Sequence, residues 1–124
     1  MNTNDIKFLI CDDSILARKN LISILNSFGY TSIIEVSNGQ DAVDTYLTER
    51  PAIVFLDIVM PVKDGITATK EIIENDPDAH IIIVSSVGTQ THLRESIKSG
   101  AKDFLQKPID PVLLKQIIDH CLSE

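Results

Sequence analysis

Five short apolar runs alternate with five longer amphipathic stretches along this 124-residue chain, and that rhythm leaves few architectures open. The runs are Lys7–Cys11, Ile33–Val36, Ile53–Leu56, Ile81–Val84 and Asp103–Leu105. The first, third and fourth are almost unbroken aliphatic or β-branched sequence, the pattern of strands buried on both faces. The second and fifth are shorter and more polar, which places one of them near a sheet edge.

Helical patterns fill the gaps. Ser14 is placed to cap a helix bearing Ile15, Leu21, Ile22, Leu25 and Phe28, and Gly29 stands at its C-terminal end. Asn38-Gly39 opens a second, with Ala42, Val43, Tyr46 and Leu47, closed before Pro51. A third begins around Gly65 and carries Ile66, Ala68, Thr69, Ile72 and Ile73 to the break at Asp76-Pro77. A fourth spans Gln90–Ser99 and stops at Gly100. Asp110 caps the fifth, with Pro111 at its first position and Leu114, Ile117, Ile118 and Cys121 on its inner face. Strict βα alternation in a chain this short predicts an α/β fold: a parallel five-stranded sheet, doubly wound with five helices, as one domain over residues 1–124.

A net charge of −7 counts against general affinity for nucleic acid or anionic membrane. The apolar runs are too short to cross a bilayer, so no membrane insertion is expected. The start, MNTNDIKFLICDDS, has no basic region and no long apolar core, so a signal peptide is not expected and a cytoplasmic location is the simplest. Cys11 and Cys121 both sit in apolar patterns and read as core thiols rather than as a disulfide.

Ligands of parallel sheets bind at the carboxyl ends of the strands. Asp12 and Asp13 follow the first strand, Asp57 the third, Ser85 and Ser86 the fourth, and Lys107-Pro108 the fifth. Taken singly, each has a plain reading: acids favour helix starts, lysines favour surfaces, and a serine after a strand is often a satisfied core hydroxyl. Together they form a set. Crowded carboxylates suit a hard divalent cation held by oxygen ligands. One carboxylate is left to attack phosphorus, a lysine balances charge, and a hydroxyl can donate to a phosphoryl oxygen.

Asp12-Asp13, Asp57, Met60-Pro61 with Asp64-Gly65, Val84-Ser85-Ser86 and Lys107-Pro108 occur in this order at successive strand ends. This series resembles the receiver domain of bacterial two-component response regulators over essentially the whole chain, and most of all the stand-alone, CheY-like receivers of chemotaxis. The resemblance implies a flavodoxin-like strand order of 2-1-3-4-5. It implies Asp57 as phosphoacceptor, and Mg²⁺ (or Mn²⁺) held by Asp12, Asp13, Asp57 and the Val59 backbone carbonyl. It implies Ser85 and Ser86 as phosphoryl-contacting hydroxyls, Lys107 as the phosphoryl-pairing cation before a cis bond to Pro108, and Phe104 as a switch aromatic. Asp64 belongs to the turn after Asp57 and reads as structural.

The implied function is a phosphorylation-activated switch and not an enzyme. Its phosphodonor is a sensor histidine kinase, and its output face is the fourth helix, fifth strand and fifth helix. The expected reader is a flagellar switch protein, with a relay carrier or the receiver of a longer regulator as alternatives. The chain ends directly after the fifth helix, which favours a free-standing protein. Val59 and Val87 stand where the family borders the path of attacking water, so the aspartyl phosphate is expected to be long-lived and a separate phosphatase to be needed. Where the best-known receiver of this type has Tyr, this chain has Phe104, which lacks a hydroxyl. Two other functions fit less well. A Mg²⁺-dependent aspartyl-phosphate phosphatase needs an acid two residues after its nucleophile, where Val59 stands. A flavodoxin-like cofactor binder needs a Ser/Thr/Gly-rich phosphate loop where Asp12-Asp13 would repel the ligand.

Overall fold

The computed structural model describes residues 5–86 and 90–123. Strands and helices alternate: β1 (Lys7–Cys11), α1 (Ile15–Ser27), β2 (Ser32–Val36), α2 (Gly39–Glu49), β3 (Ile53–Leu56), α3 (Gly65–Asn75), β4 (Ile81–Ser85), α4 (Gln90–Lys98), β5 (Asp103–Gln106) and α5 (Pro111–Leu122). The five strands form one sheet in the order β2-β1-β3-β4-β5, every pair parallel.

The apolar strand runs are explained by cover on both sides. Along β1, Phe8 and Ile10 enter one core cluster while Leu9 and Cys11 enter the other. β3 and β4 alternate in the same way, so almost every residue must be apolar. The first cluster holds Leu21 and Leu25 of α1 with Leu114, Ile117, Ile118 and Cys121 of α5. The second holds Ala42, Val43 and Tyr46 of α2 with Ala68 and Ile72 of α3. Right-handed crossovers produce this split, because the chain winds one way from β1 to β2 and the other way from β2 to β3. Cys11 and Cys121 are buried, unbridged and on opposite faces of the sheet.

The helix starts follow their capping residues. Ser14, Asn38, Asp64 and Asp110 each accept a backbone N–H of the first turn, and Pro111 opens α5. Several expectations need correction. Both polar strands, β2 and β5, lie at edges, since among the described residues each pairs with a single strand. Ser85 is the last residue of β4 rather than the first beyond it, because strand pairing extends to Gln106. The last helical residue of α4 is Lys98. Ile15 and Leu47 face outward, so apolar character alone misassigns them to the interior. No helix among the described residues is long and apolar enough to cross a membrane.

Candidate functional site

The winding reverses between β1 and β3, and their carboxyl ends open a crevice there. Cys11 pairs with Leu56 across these strands, so Asp12 and Asp57 emerge side by side. The Asp57 N–H donates to the Cys11 carbonyl at 3.0 Å. Asp13 joins them, and one carboxylate oxygen from each of Asp12, Asp13 and Asp57 lies within 4.8 Å of the others. Lys107, just past β5, reaches in with Nζ 2.6 Å from Asp12 Oδ2 and 3.3 Å from Asp57 Oδ2. Its own N–H donates to the Ser85 carbonyl at 2.9 Å, which ties the lysine to the end of β4.

The electrostatics are those of an underneutralised acidic crevice. Burial pushes the Asp57 carboxyl above its usual range; Lys107 pulls it back without cancelling the effect, and the Asp12 charge adds to it. Burial alone would lower Lys107, but its bond to Asp12 and the charge of Asp57 hold it above its ordinary value. Beneath the cluster, burial and the charges of Asp12, Asp41 and Asp57 push the Cys11 thiol up to about 12. Cys11 is therefore a neutral thiol and not a nucleophile; its Sγ lies 3.1 Å from the Asn38 carbonyl and 3.1 Å from Met60 Sδ. The space between the cluster and the core is a cavity of about 10 Å³, lined by Ile10, Leu21, Phe55 and Val84 among others. The all-oxygen donor set and the surplus of negative charge suit a hard ion such as Mg²⁺.

The loop from Asp57 to Gly65 is held tightly. Asp57 Oδ1 accepts the Ile58 N–H at 2.7 Å, and the Gly65 N–H donates to the Ile58 carbonyl at 2.8 Å. A Cβ on Gly65 would lie 2.0 Å from the Asp57 carbonyl oxygen, so only glycine lets α3 start this close to Asp57. A Cβ on Gly39 would meet the Lys63 carbonyl oxygen at the same distance, which seats α2 against this loop. Lys63 in turn pairs with Glu71 of α3. Val62 has φ +70°, and the Lys63 N–H bonds back to the Pro61 carbonyl at 2.7 Å, a strained three-residue turn for a β-branched side chain.

Residues 8–119 match the family described as response regulator receiver domain. The chain belongs to that family. The CheY chemotaxis protein of Thermotoga maritima is 45% identical over 105 residues, covering 85% of this chain and 88% of the relative. That of Bacillus subtilis is 38% identical over 117 residues, covering 94% and 98%. Among solved structures, the CheX–CheY complex from Borrelia burgdorferi with BeF₃ and Mg²⁺ matches with a TM-score of 0.89 and 34% identity, covering 98% of this chain and 92% of that one. The protein is a CheY-like receiver of a two-component response regulator.

Within this receiver, the residues singled out from sequence divide by position. Asp12, Asp13, Asp57 and Lys107 converge, and Ser85 lies buried beside them at the end of β4. The Lys107–Pro108 bond is cis. Val59 is exposed in the loop after Asp57 and Ser86 is exposed beyond β4, whereas Val87 lies outside the described residues. Phe104 stands apart from the carboxylates: it pairs in register with Ile83 and is half-buried against the second cluster. The sequence reading missed Arg18, Gly39 and Lys63. The two glycine contacts had no local signal, since Gly39 and Gly65 look like ordinary helix-start residues. Arg18 had one: a basic residue one turn into the helix that follows two acids.

Proposed function

We propose that this receiver is a phosphorylation-driven switch that takes a phosphoryl group on Asp57 from a histidine kinase. One observation carries the reading: Lys107 Nζ is shared between Asp12 and Asp57 at the mouth of a three-carboxylate cluster. Asp12, Asp13 and Asp57 would hold Mg²⁺, with the Val59 carbonyl as a further ligand, and the ion would supply positive charge where phosphoryl oxygens gather. A carboxylate oxygen of Asp57 attacks phosphorus, the phosphorus–nitrogen bond of the donor histidine breaks, and imidazole leaves. Lys107 balances the new charge, and Ser85 donates its hydroxyl to a phosphoryl oxygen. That the Borrelia CheY is seen with BeF₃ and Mg²⁺ supports this chemistry.

The proposed output runs through α4, β5 and α5. Leu93 and Ile97 of α4 and Val112 and Leu113 of α5 are exposed, and Phe104 lies half-buried on β5. Movement of Ser85 toward the phosphoryl group shifts its loop, Phe104 turns inward, and a partner reads the altered face. The chemotaxis proteins among its relatives favour a flagellar switch protein as that reader over a relay partner. Exposed Val59 offers no group to orient an attacking water, which favours a long-lived phosphoryl aspartate and a separate phosphatase. The switch, cytoplasmic and comprising residues 1–124, is not itself an enzyme. The test is intact-mass measurement with a small phosphodonor. Wild type gains one phosphoryl group with Mg²⁺ and none with a chelator, and Asp57→Asn gains none. A gain by Asp57→Asn would refute the assignment.

A further inference from the structure

Arg18 reaches from α1 to the acidic cluster without belonging to it. Its side chain is only 14% exposed. Nη1 donates to the Asp12 backbone carbonyl at 2.5 Å, and Nε donates to Glu35 Oε1 on β2 at 3.0 Å. We propose that Arg18 is a positioning residue that clamps the Asp12–Asp13 peptide so that both carboxylates face a divalent cation. This rests on the metal reading of the cluster given above.

The Asp12 carbonyl lies in the rigid plane that links Asp12 to Asp13. Its direction therefore fixes where the Asp13 side chain begins. The rest of Asp12 is already pinned. Its N–H bonds to the Val36 carbonyl at 3.3 Å, Oδ1 accepts the Ser14 N–H at 2.9 Å, and Oδ2 accepts Lys107. Arg18 adds the hold on the carbonyl, at the point where the chain leaves the sheet. A guanidinium spans two acceptors with one planar fork, whereas a lysine ammonium is a single point charge on a flexible stem. Glu35 holds the far side of that fork and ties it to the edge strand.

Charge and positioning make opposite forecasts. A cation beside the cluster repels a metal ion, so its removal by charge alone tightens binding. Loss of the clamp loosens the ligands and weakens binding. Groups that orient metal ligands typically contribute roughly ten- to a hundredfold in affinity.

The experiment titrates the full chain, freed of metal by chelation, with Mn²⁺ and follows free Mn²⁺ by electron paramagnetic resonance. Wild type, Arg18→Ala, Arg18→Lys and Glu35→Gln are compared, with Asp13→Asn as control. Arg18→Ala is expected to bind about tenfold more weakly. Arg18→Lys also weakens although the charge is kept, and Glu35→Gln weakens less than Arg18→Ala. Thermal unfolding without metal checks that each variant folds; if Arg18→Ala does not, the other two carry the test. Affinities of the Arg18 variants equal to or tighter than wild type, with binding lost in Asp13→Asn, would overturn the clamp and leave the metal reading standing. Absence of Mn²⁺ binding by wild type overturns both.

Discussion

Replacing Gly65 by alanine sets two well-known effects against each other. At an exposed helical position the change stabilises by about 0.5–1 kcal/mol, because glycine loses more freedom on folding. Gly65 has no left-handed backbone angle, so alanine is conformationally allowed there. Space decides instead. The new Cβ would lie 2.0 Å from the Asp57 carbonyl oxygen, 2.8 Å from its carbon and 3.1 Å from Ile58 Cα. Nonbonded carbon atoms rest about 3.5–4.0 Å apart, so α3 or the Asp57 backbone must retreat by roughly 1 Å or more. All the clashing atoms are backbone, and none can rotate away. Overpacking of this kind costs about 1–3 kcal/mol. For a chain of this size the melting temperature should fall by about 4–12 °C. Displacing the Asp57 backbone also moves its carboxylate from Asp12 and Asp13, so Mg²⁺ affinity should drop as well. Thermal unfolding by far-ultraviolet circular dichroism in chelator, followed by a Mg²⁺ titration, reads both. A Gly65→Ala protein that melts at or above the wild-type temperature and binds Mg²⁺ equally well would refute the close-packing account.

Three further outcomes are expected. Mg²⁺ at ten times its dissociation constant should stabilise wild type by about 1.4 kcal/mol, an effect that chelator reverses and that Asp57→Asn largely loses in the same melt. Val62→Gly should raise stability by on the order of 1 kcal/mol in denaturant unfolding, because it relieves a β-branched residue at φ +70° while removing an almost wholly exposed side chain. Tyr46 donates its hydroxyl to Asp76 Oδ2 at 2.6 Å, which lowers the Asp76 carboxyl, while burial and the same bond raise Tyr46. Tyr46→Phe should cost about 1 kcal/mol at neutral pH, a charged hydrogen bond discounted for partial exposure. A carboxyl lowered in the fold stabilises above its unfolded value near 3.8 and loses that contribution as pH falls through its folded value. The gap between wild type and Tyr46→Phe should therefore narrow below about pH 4 in urea unfolding; a gap constant down to pH 2 would contradict it.

How far the fold was legible depended on how local its causes were. Strands β1, β3 and β4 were readable because cover on both faces demands unbroken apolar sequence. The inner face of α5 was readable because helical spacing maps directly onto one core cluster. Its start was equally plain, since Asp110 and Pro111 act within a single turn. Ile15 and Leu47 defeated the same logic: each continues an apolar pattern, yet its side chain is exposed in the folded chain. Ser85 shifted from loop to strand because β5 pairs one residue further than its own composition suggests.

The sequence by itself determined which side chains stand at the carboxyl ends of the strands, because strand ends and helix caps are set by neighbours in the chain. It also carried the motifs that place the protein among the receivers. Only the tertiary structure decided which of those ends touch. Pairing of β1 with β3 brings Asp12 to Asp57 across 44 intervening positions, and β5, two strands from β3, delivers Lys107 to both. The grip of Arg18 on the Asp12 carbonyl and the bare backbone of Gly65 against Asp57 belong to the same level. Those contacts depend on distances set by sheet order and helix seating, which no local pattern encodes.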